Sequence, residues 1–209
     1  MNNPTEKILL LDIGGVIMTD PMGAFITRLS QESKCPREGL ESFYRDTLYA
    51  PFWNGTVSED EFWSKLLDRC GLPDQREAWR SWLLAAMTPL PAAGKLSQWR
   101  ETCELWVLSN HRSEWLRPLL NQYRLTEFFS RLFISDEVGL AKPDPALYAL
   151  IKREAGFKRM LYVDDRAPFV QVGREVGIPA ILADEHTAWI DVVDSWIESG
   201  EIPNQEDDL

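Results

Sequence analysis

The sequence predicts an α/β protein: a doubly wound parallel sheet of five strands with an all-helical block inserted after the first strand. Three observations predict it. Apolar runs of strand length recur along the chain, and from residue 105 onward helix-length amphipathic segments alternate with them. Between the first run and the second, residues 18–88 show helical periodicity only. The polar residues with chemistry to offer gather at the carboxyl ends of the runs, the edge where open α/β sheets bind ligands.

The first strand is Ile8 to Leu11 with Ile13, an apolar run interrupted by Asp12 and closed by Gly14-Gly15, a tight turn that leaves the backbone accessible. A helical period then begins at Met22, Phe25, Ile26 and Leu29, and another at Leu40, Phe43, Tyr44, Thr47 and Leu48. Ser58-Glu59-Asp60-Glu61 is a capping box that opens a helix carrying Phe62, Leu66 and Leu67, with Gly71 past its end. Trp79, Trp82, Leu83 and Ala86 make a fourth stripe. The insert is therefore placed at 18–88, and 1–17 with 89–209 form the unit that carries the sheet.

In that unit Leu105 to Leu108 is the second strand, ending at Ser109-Asn110. Ser113 caps a helix through Leu116, Leu119, Leu120 and Tyr123. Leu132 to Ile134 is the third strand, and Asp144-Pro145 opens a helix that Gly156 closes. Met160 to Val163 is the fourth strand, ending at Asp164-Asp165. A helix from Pro168 to Val176 stops at Gly177, and Ala180 to Leu182 is the fifth strand. Trp189, Val193, Trp196 and Ile197 mark a last helix, and the acidic tail 201–209 is expected to fray.

Composition narrows the function. The chain has 209 residues, 44% of them hydrophobic, with nine Trp and nine Phe, ample for a core. A formal net charge of −11 argues against nucleic acid or an anionic membrane as a partner. An anionic substrate must then be held by a local cluster of donors or by a cation. Cys35, Cys70 and Cys103 are odd in number and widely spaced, and read as buried hydrophobes in a reducing compartment. No basic leader precedes Ile8 and no apolar run approaches a membrane span, so a soluble cytoplasmic monomer or homodimer is expected.

Asp12, Ser109 and Asp164-Asp165 all fall at strand ends, and Lys142 lies in the loop past the third strand. Three carboxylates on one edge repel unless a cation sits among them, and hard oxygen ligands select Mg²⁺. Ser109 and nearby N–H groups suit a phosphate oxygen, and Lys142, its loop fixed by Pro143, adds a positive charge. Asp12 is then placed to attack phosphorus and form an aspartyl-phosphate. Taken alone, Asp12 equally fits a carboxylate that caps the next helix. Asp164 is placed as a metal ligand, directly or through water, or as the N-cap of the helix after it. Arg166 reads as half of a structural salt bridge. Most of Trp53, Trp63, Trp79 and Trp82 belong in the insert's core, with one or two free to stack on a substrate ring.

Asp12-Ile13-Gly14-Gly15-Val16, Ser109-Asn110, Lys142-Pro143 and Asp164-Asp165, in this order, resemble the four motifs of the haloacid dehalogenase superfamily. The resemblance runs over the whole chain, and the insert is similar to the helical cap of its glucose-1-phosphate phosphatase and epoxide hydrolase subfamily. It implies a Rossmann-like core and a Mg²⁺-dependent phosphatase acting on a small phosphorylated metabolite, sugar phosphates above all. Asp12 becomes nucleophile and metal ligand, with the Gly14 carbonyl, Asp164 and Asp165 completing the metal site. Ser109, Asn110 and Gly15 hold phosphate, and Lys142 balances charge. Most family phosphatases carry a second Asp, the general acid and base, where this chain has Gly14. Such a group contributes ~10²–10⁴-fold. Either the substrate has a good leaving group, as an anomeric phosphate does, or His111 or Asp20 substitutes. His111 otherwise reads as a loop residue. The alternatives are a binding or regulatory protein without turnover, a phosphomutase and a 2-haloacid dehalogenase.

Overall fold

In the computed structural model, which describes residues 6–33 and 35–202, five strands form one all-parallel sheet in the order β3-β2-β1-β4-β5. The strands are β1 (Lys7–Leu11), β2 (Glu104–Ser109), β3 (Phe129–Ile134), β4 (Arg159–Asp164) and β5 (Ala180–Leu182). Between β1 and β2 lie α1 (Met22–Glu32), α2 (Arg37–Phe43), α3 (Ala50–Trp53), α4 (Glu59–Cys70), α5 (Arg76–Ala85) and α6 (Leu96–Arg100). After β2 come α7 (Ser113–Gln122), α8 (Ser135–Val138), α9 (Pro145–Ala155), α10 (Ala167–Glu175) and α11 (Ala188–Ser199). Most of the tail expected to fray, residues 203–209, lies outside the described residues.

The central strands β1, β2 and β4 are apolar between their ends because both faces of the sheet are covered. Leu9 and Leu11 join Leu105, Val107, Leu161 and Val163 in a core roofed by α6, α7 and α11. Ile8 and Leu10 point the other way, with Trp106, Leu108 and Tyr162, onto α9 and α10. The chain lays β2 and β3 on one side of β1 and then returns to place β4 on the other. The strand order therefore reverses beside β1, the point where such sheets open a ligand crevice.

The helical block has its own core, in which Phe25, Phe52, Phe62, Trp63 and Trp79 meet. One member comes from outside it. Trp115 of α7 sits 5.2 Å from the Phe52 ring and 6.1 Å from that of Trp63, so the sheet-bearing unit plugs the block. The two connections to the block run side by side, with Thr19 N–H donating to the Thr88 carbonyl at 2.9 Å and Leu90 N–H to that of Ile17 at 2.9 Å. Arg112 latches the same junction by donating from Nη1 to the carbonyls of Phe52 and Val57 at 3.2 and 3.1 Å.

Three local expectations need correction. Tyr44–Tyr49 forms a π-helical turn rather than continuing α2, because Pro51 has no N–H to give to the Thr47 carbonyl. Ser113 is the first helical residue of α7, not its cap; its hydroxyl donates to Asp136 Oδ2 at 2.9 Å. Cys70 and Cys103 are buried free thiols, whereas Cys35 is only half-buried. Among the described residues no helix is long and apolar enough to cross a membrane.

Candidate active site

The carboxyl ends of β1, β2 and β4 and the loop after α8 meet in a cavity of about 560 Å³ under the helical block. Asp12 follows β1 directly. Its N–H continues the ladder to the Val163 carbonyl at 3.0 Å, and its Oδ1 accepts from Ile13 N–H at 2.7 Å. The side chain is thus fixed at the point where the strand order reverses.

Lys142 is fully buried, with Nζ 2.9 Å from Asp12 Oδ2 and 2.5 Å from Asp164 Oδ2. Burial alone would depress its pKa, but the two carboxylates outweigh burial and hold the ammonium protonated, well above the usual range. Asn110 sets the loop that presents it: the Asn110 amide donates to the Lys142 carbonyl at 2.8 Å and accepts from its N–H at 2.7 Å. One donor and one acceptor of that side chain are thus committed to holding the loop.

Asp164 is buried and already engaged. Its Oδ2 accepts from Lys142 and from the Tyr162 hydroxyl, and its Oδ1 from Arg166 N–H at 2.9 Å. Burial raises its carboxyl, the Lys142 ammonium opposes that, and the Asp12 carboxylate adds to the rise. Asp165 faces the same centre, where burial and the carboxylates of Asp12 and Asp164 push it up to about 7. One oxygen from each of the three aspartates lies within 4.8 Å of the others. Three hard oxygen donors at that separation, one of them already driven toward protonation, suit a small divalent cation.

Gly15 makes this closeness possible. Its φ is +73°, and a Cβ there would stand 2.5 Å from Asp165 Cγ and 2.8 Å from its Cβ. Gly15→Ala is therefore expected to displace Asp165, adding ~1–2 kcal/mol of backbone strain to the collision. Divalent-cation affinity measured by calorimetry should fall at least ~10-fold. An alanine variant with unchanged affinity would show that Asp165 is no ligand.

The remaining predicted residues divide. Ser109, at the end of β2, lines the cavity with Asp12 and Lys142. His111 is buried between the rings of Trp53, 5.5 Å away, and Trp115, 6.3 Å away. Its Nδ1 lies 2.9 Å from the Arg112 N–H and 3.1 Å from the Arg112 carbonyl, and burial lowers its pKa. Asp20 borders the cavity on the side of Gly14. Arg166 forms no ion pair among the described residues; it donates to the Tyr49 hydroxyl at 2.7 Å and lies between the rings of Tyr49 and Phe169. The neighbouring aspartates are turned inward, away from it.

Sequence reasoning missed Tyr162, Arg112, Tyr44 and Tyr49. Tyr162 reads as one more apolar strand residue, and nothing local marks its hydroxyl as a partner of Asp164. Tyr44 and Tyr49 reach the cavity wall from the π-helical turn, which no period of 3.6 foretells.

Fold and site together define an α/β enzyme with an aspartate–lysine centre under a helical cover. The chain belongs to the haloacid dehalogenase-like hydrolases, whose family model matches residues 7–177. A D-ribitol-5-phosphate phosphatase from Bacteroides thetaiotaomicron is 23% identical over 204 residues, covering 88% of this chain and 94% of the relative. The pyrimidine 5'-nucleotidase YjjG of Escherichia coli is 32% identical over 118 residues, about half of each chain (54% and 50%). Among solved structures, a HAD family enzyme from Bacteroides thetaiotaomicron superposes with a TM-score of 0.76 at 19% identity, covering 88% of this chain and 97% of its own. The same enzyme in complex with magnesium and inorganic phosphate superposes at 0.73, with 21% identity and 88% and 98% coverage.

Proposed function

We propose that this protein is a Mg²⁺-dependent phosphatase that hydrolyses a small phosphorylated metabolite, a sugar phosphate, through an aspartyl-phosphate on Asp12. The observation that carries this reading is the convergence of Asp12, Lys142, Asp164 and Asp165 at the sheet's reversal point. In support, one relative is a phosphatase of a sugar-alcohol phosphate and one structural neighbour binds magnesium with phosphate.

Asp12, Asp164 and Asp165 would hold Mg²⁺, which would supply positive charge to offset the repulsion between an anionic nucleophile and a dianionic phosphate. Lys142 adds fixed positive charge beside the attacking oxygen, and its two carboxylate partners keep it from moving off. Asp164 works chiefly on Lys142, with Tyr162 and Arg166 N–H holding it in register. The Ser109 hydroxyl and the main chain at Asn110 and Gly15 receive the phosphate oxygens. The block 18–88 acts as a lid whose Tyr44, Tyr49 and Trp53 line the substrate side and exclude water. Inorganic phosphate release from a panel of sugar and aryl phosphates, with Mg²⁺ or with chelator, tests the reading. Background rates across the panel would replace it with the rival, a binding protein that lost turnover when residue 14 became glycine.

The Asp165 carboxyl ties cation binding to pH. Its ordinary value is 3.8 and its folded value about 7. A carboxyl raised on folding favours the folded state at low pH, and that contribution is lost as pH climbs through about 7. Without metal, stability should thus decline between about pH 4 and pH 7. Mg²⁺ displaces the proton and should raise Tm more at about pH 8 than at about pH 5. A Mg²⁺-induced shift in Tm that is flat across this range would contradict it.

A further inference from the structure

We infer that Asp20 is the acid–base group of this site, delivering a proton to the departing oxygen and later taking one from water. The inference rests on the phosphatase reading above. An alkoxide is too basic to leave phosphorus unprotonated, so some group in the cavity must reach the oxygen opposite Asp12.

Most titratable groups that line the cavity are already committed. Lys142 is clamped between Asp12 and Asp164. Asp165 stands in the carboxylate cluster. The Tyr44 hydroxyl accepts from Trp53 Nε1 at 2.8 Å, and burial drives its pKa far up. Glu41, at the rim, pairs with Arg37 at 2.7 Å. His111 is buried between Trp53 and Trp115, with its Nδ1 held against the N–H and carbonyl of Arg112.

Asp20 is in a different position. After β1 the chain turns back on itself, with Gly15 N–H donating to the Met18 carbonyl at 2.7 Å, and this lays Asp20 over Gly14. A Cβ added to Gly14 would lie 3.6 Å from Asp20 Cβ and 4.0 Å from its Cγ. The Asp20 carboxyl therefore borders the space into which a side chain two residues after Asp12 would project. Gly14, having no side chain, leaves that space open. Asp20 Oδ1 accepts from Met22 N–H at 2.9 Å, which fixes the carboxyl and leaves Oδ2 uncommitted among the described residues.

The proton balance closes. Asp12 forms a bond to phosphorus as the bond to the leaving oxygen breaks; the electron pair stays on that oxygen, which takes the Asp20 proton. Water then attacks the aspartyl-phosphate and gives a proton to Asp20. The Asp12–phosphorus bond breaks, its electron pair returning to the carboxylate, and phosphate departs.

The test is Asp20→Asn, which keeps an oxygen to accept from Met22 N–H and so keeps the start of α1. Two probes are compared by kcat/KM, which reports steps up to loss of the leaving group. For ribitol 5-phosphate, whose alkoxide needs the proton, a fall of ~10²–10⁴-fold is expected. For p-nitrophenyl phosphate, whose phenolate leaves unaided, the fall should be under ~10-fold. If the wild type spares ribitol 5-phosphate, the best alkyl ester of the sugar phosphate panel replaces it. Gly14→Asp combined with Asp20→Asn should recover at least ~10-fold on the alkyl ester, because the carboxyl is returned to the same space. Equal losses on both probes, or none, overturn the role of Asp20 and leave the phosphatase reading standing. A wild type inert toward every phosphate sinks both.

Discussion

Asp12→Asn should lose turnover by ~10⁴-fold or more, because the proposed nucleophile is a carboxylate and an amide is a poor substitute for it. Asn matches Asp in shape, and its Oδ1 still accepts from Ile13 N–H. Stability should change far less than turnover, because the amide nitrogen that now faces Lys142 opposes the relief of carboxylate crowding. One of three crowded carboxylates has gone, and Lys142 keeps Asp164 as its partner. Phosphate release and Tm, read on the same sample, separate the two effects. An Asn variant that retains turnover within tenfold would remove Asp12 from the chemistry.

Lys142→Met should damage both stability and activity. Methionine fills the buried channel of the lysine stem but leaves Asp12 and Asp164 facing each other with no counter-charge. Breaking a buried pair in this way costs ~3–5 kcal/mol, or a fall in Tm of about 10 °C for a domain of this size. Asp164 would answer by taking up a proton, since the ammonium that opposes its rise is gone. The loss should therefore be larger at high pH than at low pH. Turnover should drop ~10²–10³-fold even where the protein is folded. A methionine variant as stable as wild type at about pH 8 would mean that the two carboxylates do not depend on Lys142.

The sheet was legible because buried parallel strands are apolar on both faces, and an aspartate at the end of such a run stands out. Asp12, Asp164 and Asp165 announce themselves in this way. Lys142 was legible too, since its loop is bounded by Gly139 and Pro143. What escaped were roles that depend on two distant segments arriving together. Arg112 finds the carbonyls of Phe52 and Val57 only once the helical block is folded over it. Arg166 was misread because sequence sets it beside two acids, whereas packing turns those acids inward and offers it Tyr49 instead. Asn110 reads as a phosphate-binding residue, and its part in holding the Lys142 loop was not foreseen. Its amide bonds to the backbone of a residue 32 positions away, a pairing that no local pattern announces.

Trp115 has a consequence for how the molecule breathes. Its backbone belongs to α7, just past the loop that follows Ser109 at the end of β2, while its ring is a member of the block's aromatic cluster. Swinging the block outward would leave a void around that indole and strip cover from α7. Outward motion of the block and loosening of the segment after β2 are thus two readouts of a single mechanical coordinate.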